Sequence, residues 1–289
     1  MFKPFNLRSI MMPTDFSDTA NIALDHAVGM AKRHNARLTL VHVFETGSYS
    51  GIFSNGHSPE GHLMAEVRAR LEGDAVRIAA QHQIKVDVVL GTGRIYDQIV
   101  STAQELETDL IVMGTHGLRG WAEFFVGSNA FKVVTQSPCP VISIPESSKT
   151  ADYKHIILPL DSTPESRQKV RIAVAIAKMC GASIHIASLI TDDAPEVRFD
   201  FDKKVKQIVT YLEKEGIQHS ENVLVGSNLA TMTMNFGESK GGDLIVMMTE
   251  QEPNLTGFLM GPYAQQIVNH SRIPVLSIAP EEGEGFHLT

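Results

Sequence analysis

The sequence predicts an α/β protein made of two tandem open parallel five-stranded sheets with helices on both faces. Three observations carry that expectation. Short apolar runs alternate with segments of helical periodicity, as in βαβ units. The pattern occurs twice in 289 residues, enough for two domains with their own cores. Finally, the run Asp109-Leu110-Ile111-Val112-Met113 ends in Gly114 and returns as Asp243-Leu244-Ile245-Val246-Met247. Uninterrupted apolar runs of that length read as parallel strands buried on both faces.

In the first half, Ser9–Met12 is a strand. Residues 18–34 place Ala20, Ala23, Leu24, Ala27, Met30 and Ala31 at helical spacing. Leu38–Val43 is the second strand. His62–Gln81 is an amphipathic helix with Leu63, Val67, Leu71 and Ile78 on one side. Lys85–Leu90 is a strand, Ile95–Glu107 a helix and Asp109–Met113 a strand. A helix from Asn129 to Gln136 leads to Val141–Ile144, the fifth strand.

The second half repeats the first. Pro13 and Asp15 match Pro159 and Asp161, and Leu38-Thr39-Leu40-Val41 matches Ile184-His185-Ile186-Ala187. Gly91 then pairs with Gly226, Gly127 with Gly261, and Pro140-Val141-Ile142-Ser143-Ile144 with Pro274-Val275-Leu276-Ser277-Ile278. The spacing between matched positions shrinks along the chain, so the first half carries about a dozen extra residues. Their natural place is Glu45–His62, rich in Gly, Ser, His and Asn: an unconstrained insertion, or a flap over a ligand. The expected domains are residues 1–146 and 153–280, with a polar junction at Glu146–Asp152 and a tail over 281–289.

Composition narrows the function. A formal charge of -8 without a basic run argues against a nucleic-acid partner. Two distant cysteines, Cys139 and Cys180, form neither a disulfide framework nor a zinc spacing, so a reducing cytoplasm is expected. No stretch approaches the ~20 apolar residues of a membrane span. Cys139, before Pro140, is expected to be a buried and inert thiol.

The chemistry concentrates after the fourth strand. Gly114 and Gly117 remove side chains where backbone could lie against a ligand, and Gly127-Ser128 precedes a helix start. Free N–H groups and the positive dipole end at such a start favour phosphate. Asp15 is either a ligand contact or a turn and cap residue. His116 has no acid or nucleophile at readable spacing to make it catalytic, and Arg119 is better suited to touch a phosphate. Trp121, Phe124 and Phe125 read as core, as a cover for the ligand, or as a contact between halves, with core or contact favoured. His42 and His185, at similar strand sites, read as packing or a domain contact rather than as metal ligands.

The spacing Gly-x2-Gly-x9-Gly-Ser at Gly114, Gly117, Gly127 and Ser128, together with Pro13-Thr14-Asp15 after the first strand, resembles the universal stress protein family in its tandem two-domain form. That resemblance covers essentially the whole chain and implies a sheet order of 3-2-1-4-5 in each domain. It also implies an ATP site, with Mg²⁺ arriving on the phosphates. Pro13, Thr14 and Asp15 would lie at the adenosine end, and Val41 would meet adenine through its backbone. Met113, Gly114, His116, Gly117, Arg119, Gly127, Ser128 and Asn129 would surround ribose and phosphates. The fifth strands would form the seam between halves, and two chains could associate further as a homodimer. In the second half Met248, Gln251 and Pro262 replace Gly114, Gly117 and Ser128, so that half is expected to be silent toward ATP. The expected role is nucleotide-dependent regulation of a stress response with an unknown protein partner. The alternatives are an ATP-dependent adenylating or nucleotidyl-transferring enzyme, and an interaction scaffold with a vestigial nucleotide site.

Overall fold

The first half of the computed structural model runs β1 (Ser9–Pro13), α1 (Asp18–His34), β2 (Arg37–Glu45), α2 (Pro59–His82), β3 (Val86–Gly93), α3 (Ile95–Glu105), β4 (Leu110–Gly114), α4 (Ser128–Gln136) and β5 (Val141–Ile144). The second runs β6 (His155–Leu160), a 3-10 turn (Glu165–Arg167), α5 (Val170–Cys180), β7 (Ser183–Ile190), α6 (Pro195–Lys214), β8 (His219–Val225), α7 (Leu229–Ser239) and β9 (Leu244–Met248). It ends with β10 (Gln251–Asn254), β11 (Gly257–Met260), α8 (Pro262–His270) and β12 (Val275–Ile278). The structure describes residues 5–45, 59–115, 127–148, 151–163, 165–191, 194–249, 251–254 and 257–280.

Each half has the order 3-2-1-4-5, and the two sheets join into a single ten-stranded sheet, β3-β2-β1-β4-β5-β12-β9-β6-β7-β8. Within the ten-stranded sheet every pairing inside a half is parallel; the seam, β5 on β12, is antiparallel with Leu276 opposite Ile142. The fifth strands therefore meet as expected. Alternation explains the uninterrupted apolar runs. Ile10 and Met12 of β1 face a core shared with Ala27 of α1, Leu71 of α2, Ala173 of α5 and Ile208 of α6. Met11 faces the opposite core with Ile99 of α3, Val133 of α4, Phe236 of α7 and Ile267 of α8. Both faces of each central strand are buried, so both must be apolar.

The repeated aspartate has a structural task. Asp109 Oδ2 accepts the N–H groups of Arg8 and Ser9 at 2.8 and 2.9 Å, and Asp243 accepts those of Lys154 and His155. Each carboxylate caps the start of its neighbouring first strand.

Two differences from the expected elements stand out. Helix α2 begins at Pro59, inside the stretch read as a loop, because proline suits the first turn of a helix. The remainder of that stretch, 46–58, lies outside the described residues. The hairpin β10–β11 was not expected; it pairs Gln251 with Met260 and turns after Pro253-Asn254.

Helix α1 is anchored by Ser17, whose Oγ accepts the N–H of Ala20 at 3.2 Å, and stops at Asn35 in the left-handed region (φ 50°). Ser17→Ala should cost about 1 kcal/mol. Urea denaturation checks this, and an unchanged midpoint would contradict the cap assignment.

Candidate nucleotide site

Strands β1 and β4 diverge at their C-terminal ends, and in open parallel sheets that is where ligands bind. The chain leaves β1 through two side-chain turns. Thr14 Oγ1 accepts the N–H of Phe16 at 3.0 Å, and Asp15 Oδ1 accepts the N–H of Ser17 at 3.0 Å. Phe16 sits at φ 63°. Asp15 thus shapes the turn, while the cap of α1 belongs to Ser17. The N–H of Thr14 is donated to the carbonyl of Val41 at 2.8 Å, and Pro13 lies opposite Val41 in the ladder. Val41's side chain is core; its carbonyl keeps one lone pair.

Beside this turn stands a row of rings that sequence reasoning missed. Arg70 lies 4.0 Å above the Phe16 ring, Phe16 is 5.1 Å from His42, and His42 meets Phe44 edge-on at 5.0 Å. His42 Nδ1 donates to the carbonyl of Thr14 at 2.8 Å, since a carbonyl only accepts. The available signal was the alternation of His42 and Phe44 on one face of a strand.

From β4 the glycines divide into two kinds. A Cβ on Gly114 would lie 2.9 Å from Thr19 Cγ2 and 3.2 Å from Thr19's carbonyl carbon and oxygen, so Gly114 admits the first turn of α1. The close approach of α1 is by itself a reason for glycine at this position. Gly127 is different: at φ -56° and ψ 143° any residue fits, and among the described residues a Cβ would make only ordinary contact, with the Thr115 carbonyl at 3.4 Å. Met113 packs its side chain into the core with Val41 and Ala130.

The loop after β4 is closed at its neck. Gly127 donates its N–H to the Thr115 carbonyl at 2.8 Å, and Thr115 in turn donates to Ile144 at 3.0 Å. Thr115, also missed from the sequence, is the residue that brings Gly127 back to the end of β4. With Gly127 as N-cap and no capping side chain, the first intrahelical bond is Phe131 N–H to Gly127. The N–H groups of Ser128, Asn129 and Ala130 precede it and have no partner inside the helix. His116, Gly117, Arg119, Trp121, Phe124 and Phe125 lie outside the described residues.

The second half keeps the frame and fills it differently. Thr249 repeats the bond of Thr115, donating to Ile278 at 2.8 Å. Met248, where Gly114 stands, buries its side chain on the α5 face. A first turn like that of α1 would collide with it. Accordingly α5 is 11 residues long against 17 for α1, although both end at matched left-handed positions, Gly181 and Asn35. The 3-10 turn Glu165–Arg167 contacts β9 in place of the missing helical turns. Ser166 Oγ accepts from Asp161 N–H at 3.0 Å and from the buried Lys169 ammonium at 3.1 Å. Helix α8 starts with Pro262, which has no N–H to offer.

His42 and His185 are not equivalent, and among the described residues the hydrogen bonds and ring contacts of each stay within its own half. The residue opposite Met11 is Thr39, and the residue opposite Ile157 is His185, so His185 matches Thr39 and lies away from the crevice. Cys139 is half-buried rather than buried as expected; partial burial still raises its thiol to about 11, which keeps it protonated.

The sequence model of the Universal stress protein family matches residues 6–145 and again 152–278. The chain belongs to the universal stress protein family, in two tandem copies. Universal stress protein YxiE of Bacillus subtilis is 31% identical over 147 residues, covering 47% of this chain and 97% of its own. A universal stress protein from Thermus aquaticus is 35% identical over 142 residues, covering 47% of this chain and 98% of its own. Such relatives correspond to a single copy. The crystal structure of a universal stress protein from Archaeoglobus fulgidus spans both copies, with a TM-score of 0.75 and 17% identity over 94% of this chain and 98% of its own. At that identity the likeness speaks for the fold.

Among the described residues no helix is long and apolar enough to cross a membrane, and no group of three or more His, Cys, Asp or Glu side chains could hold a metal ion.

Proposed function

We propose that the first domain binds ATP with Mg²⁺ and that the protein acts as a nucleotide-dependent regulator in a cytoplasmic stress response. The observation that carries this reading is the uncapped start of α4. There the N–H groups of Ser128 and Asn129 have no partner within the helix, beside the divergence of β1 and β4. Main-chain donors and the helix dipole favour a polyphosphate at such a place without a basic cluster. Asp15, Pro13, Thr14 and Val41 stand at the adenosine end, and Gly127 leaves phosphate space open. Gly117, His116 and Arg119 join by their spacing. The second domain, with Pro262 at the corresponding helix start, is silent toward ATP.

Calorimetry of the full chain with ATP in Mg²⁺ tests the reading. One site per chain is expected, and Ser128→Pro, which copies the second domain, should weaken it at least about 10-fold by deleting a charge-assisted donor. Absence of binding in the wild type would favour the scaffold alternative. Fast sustained turnover with an acceptor would favour the transferase.

A further inference from the structure

At the other end of the second domain's strands, far from the crevice, three donor atoms form a nearly equilateral triangle. His155 Nδ1 lies 3.2 Å from His185 Nε2 and 3.2 Å from Ser183 Oγ, and Ser183 Oγ lies 3.4 Å from His185 Nε2. A tetrahedral ion with bonds of ~2.0–2.1 Å holds adjacent ligands about 3.3–3.4 Å apart. The triangle has the edge of one tetrahedral face. We propose that His155 and His185, with Ser183 beside them, form a site for a divalent transition ion of the zinc and copper class, joining β6 to β7.

The surroundings are those of a ligand set. His185 Nδ1 lies 2.8 Å from Ser220 Oγ, which also accepts the side-chain N–H of Asn222 at 3.3 Å. When Nδ1–H is held by Ser220, Nε2 presents its lone pair to the triangle, and an outer partner of this kind orients a metal-bound imidazole. The rings lie 5.4 Å apart with planes 29° apart, and the nitrogens on their facing sides are 3.2 Å apart. Asp243, which holds the N–H of His155, places a negative charge beside the cluster; Lys240 opposes it from the His185 side. His155 is exposed, which opens a path for the ion and leaves room for water as a further ligand. Imidazole donors suit zinc and copper over magnesium or calcium.

The duplication supplies an internal control. On the same backbone ladder the first half has Ser9, Met11, Arg37 and Thr39 where the second has His155, Ile157, Ser183 and His185. The imidazole pair belongs to one copy alone and is independent of the nucleotide reading.

The test uses tag-free full-length protein titrated with Zn²⁺ by calorimetry and with Cu²⁺ by electron paramagnetic resonance. Saturable 1:1 binding and a copper spectrum split by two imidazole nitrogens are expected. Loss of a direct ligand should weaken binding by at least about 100-fold, at the upper end of what loss of an outer partner does. His155→Ala, an exposed change that keeps the fold, and His185→Gln should both show it, and His155→Cys should restore zinc. Equal binding by wild type and the double variant, or no saturable binding by the wild type, overturns the proposal.

Discussion

Gly127→Val is expected to abolish the proposed ATP binding and to leave the thermal midpoint where it was. The valine side chain would occupy the space before the α4 N–H groups and keep phosphate from the donors of Ser128 and Asn129. Charge-assisted bonds of this kind contribute about 1.5–3 kcal/mol each, so losing two reduces affinity at least about 100-fold. The fold should be indifferent, because the backbone at Gly127 suits any residue and, among the described residues, a Cβ meets one carbonyl at 3.4 Å. Gly114→Val should do the reverse at the other side of the same loop. Its Cβ would sit 2.9 Å from Thr19 Cγ2 and 3.2 Å from Thr19 main-chain atoms that cannot move away without unwinding α1. Overpacking of that kind costs about 1–3 kcal/mol. Calorimetry with ATP and scanning calorimetry of both variants decide the matter. Wild-type affinity in Gly127→Val, or equal melting losses in the two variants, would contradict the division of labour between these glycines.

The fold was legible because its causes are local and repeated. Strands buried on both faces must be apolar throughout, so β4 and β9 show themselves in five letters, and the shared aspartate is read twice because it caps a strand start twice. The helix α1 carries its own cap and left-handed stop. What escaped the sequence depends on partners distant in the chain. Gly114 reads the same whether it faces a ligand or Thr19, and only packing separates the two. The imidazole pair of His155 and His185 arises from a parallel register, not from a spacing along the chain. The shortened α5 is the consequence of Met248, a residue on a different strand. Thr115 holds the loop's neck through its main chain, which no residue type announces.

The junction between domains, polar and without pattern in the sequence, is strapped to α1, and this makes the protein sensitive to acid. His26 is buried at 1% exposure. Its Nδ1 lies 2.9 Å from the hydroxyl of fully buried Tyr153, and its Nε2 lies 3.0 Å from Ser148 Oγ. Arg33 holds the same strap, donating to the Ala151 carbonyl at 3.0 Å and pairing with Asp152 at 3.5 Å. Burial, and secondly the charge of Arg33, lower His26 from 6.5 to about 4. Below pH 6.5 the unfolded chain takes up a proton at this position that the folded one refuses until about pH 4. Stability is therefore full above pH 6.5 and declines as the pH falls toward 4, by about 3 kcal/mol from this group. His34 and His185, also lowered chiefly by burial, act in the same direction. His26→Gln keeps a polar group against Tyr153 but does not titrate. Urea unfolding of wild type and variant at a series of pH values from 7 to 4 should show the variant's slope reduced by about one proton, about 1.4 kcal/mol per pH unit at its steepest. The variant should be less stable at pH 7, where Tyr153 and Ser148 lose a well-placed partner, and the two curves should converge in acid. Parallel curves would mean that the strap over α1 holds for reasons other than a neutral imidazole.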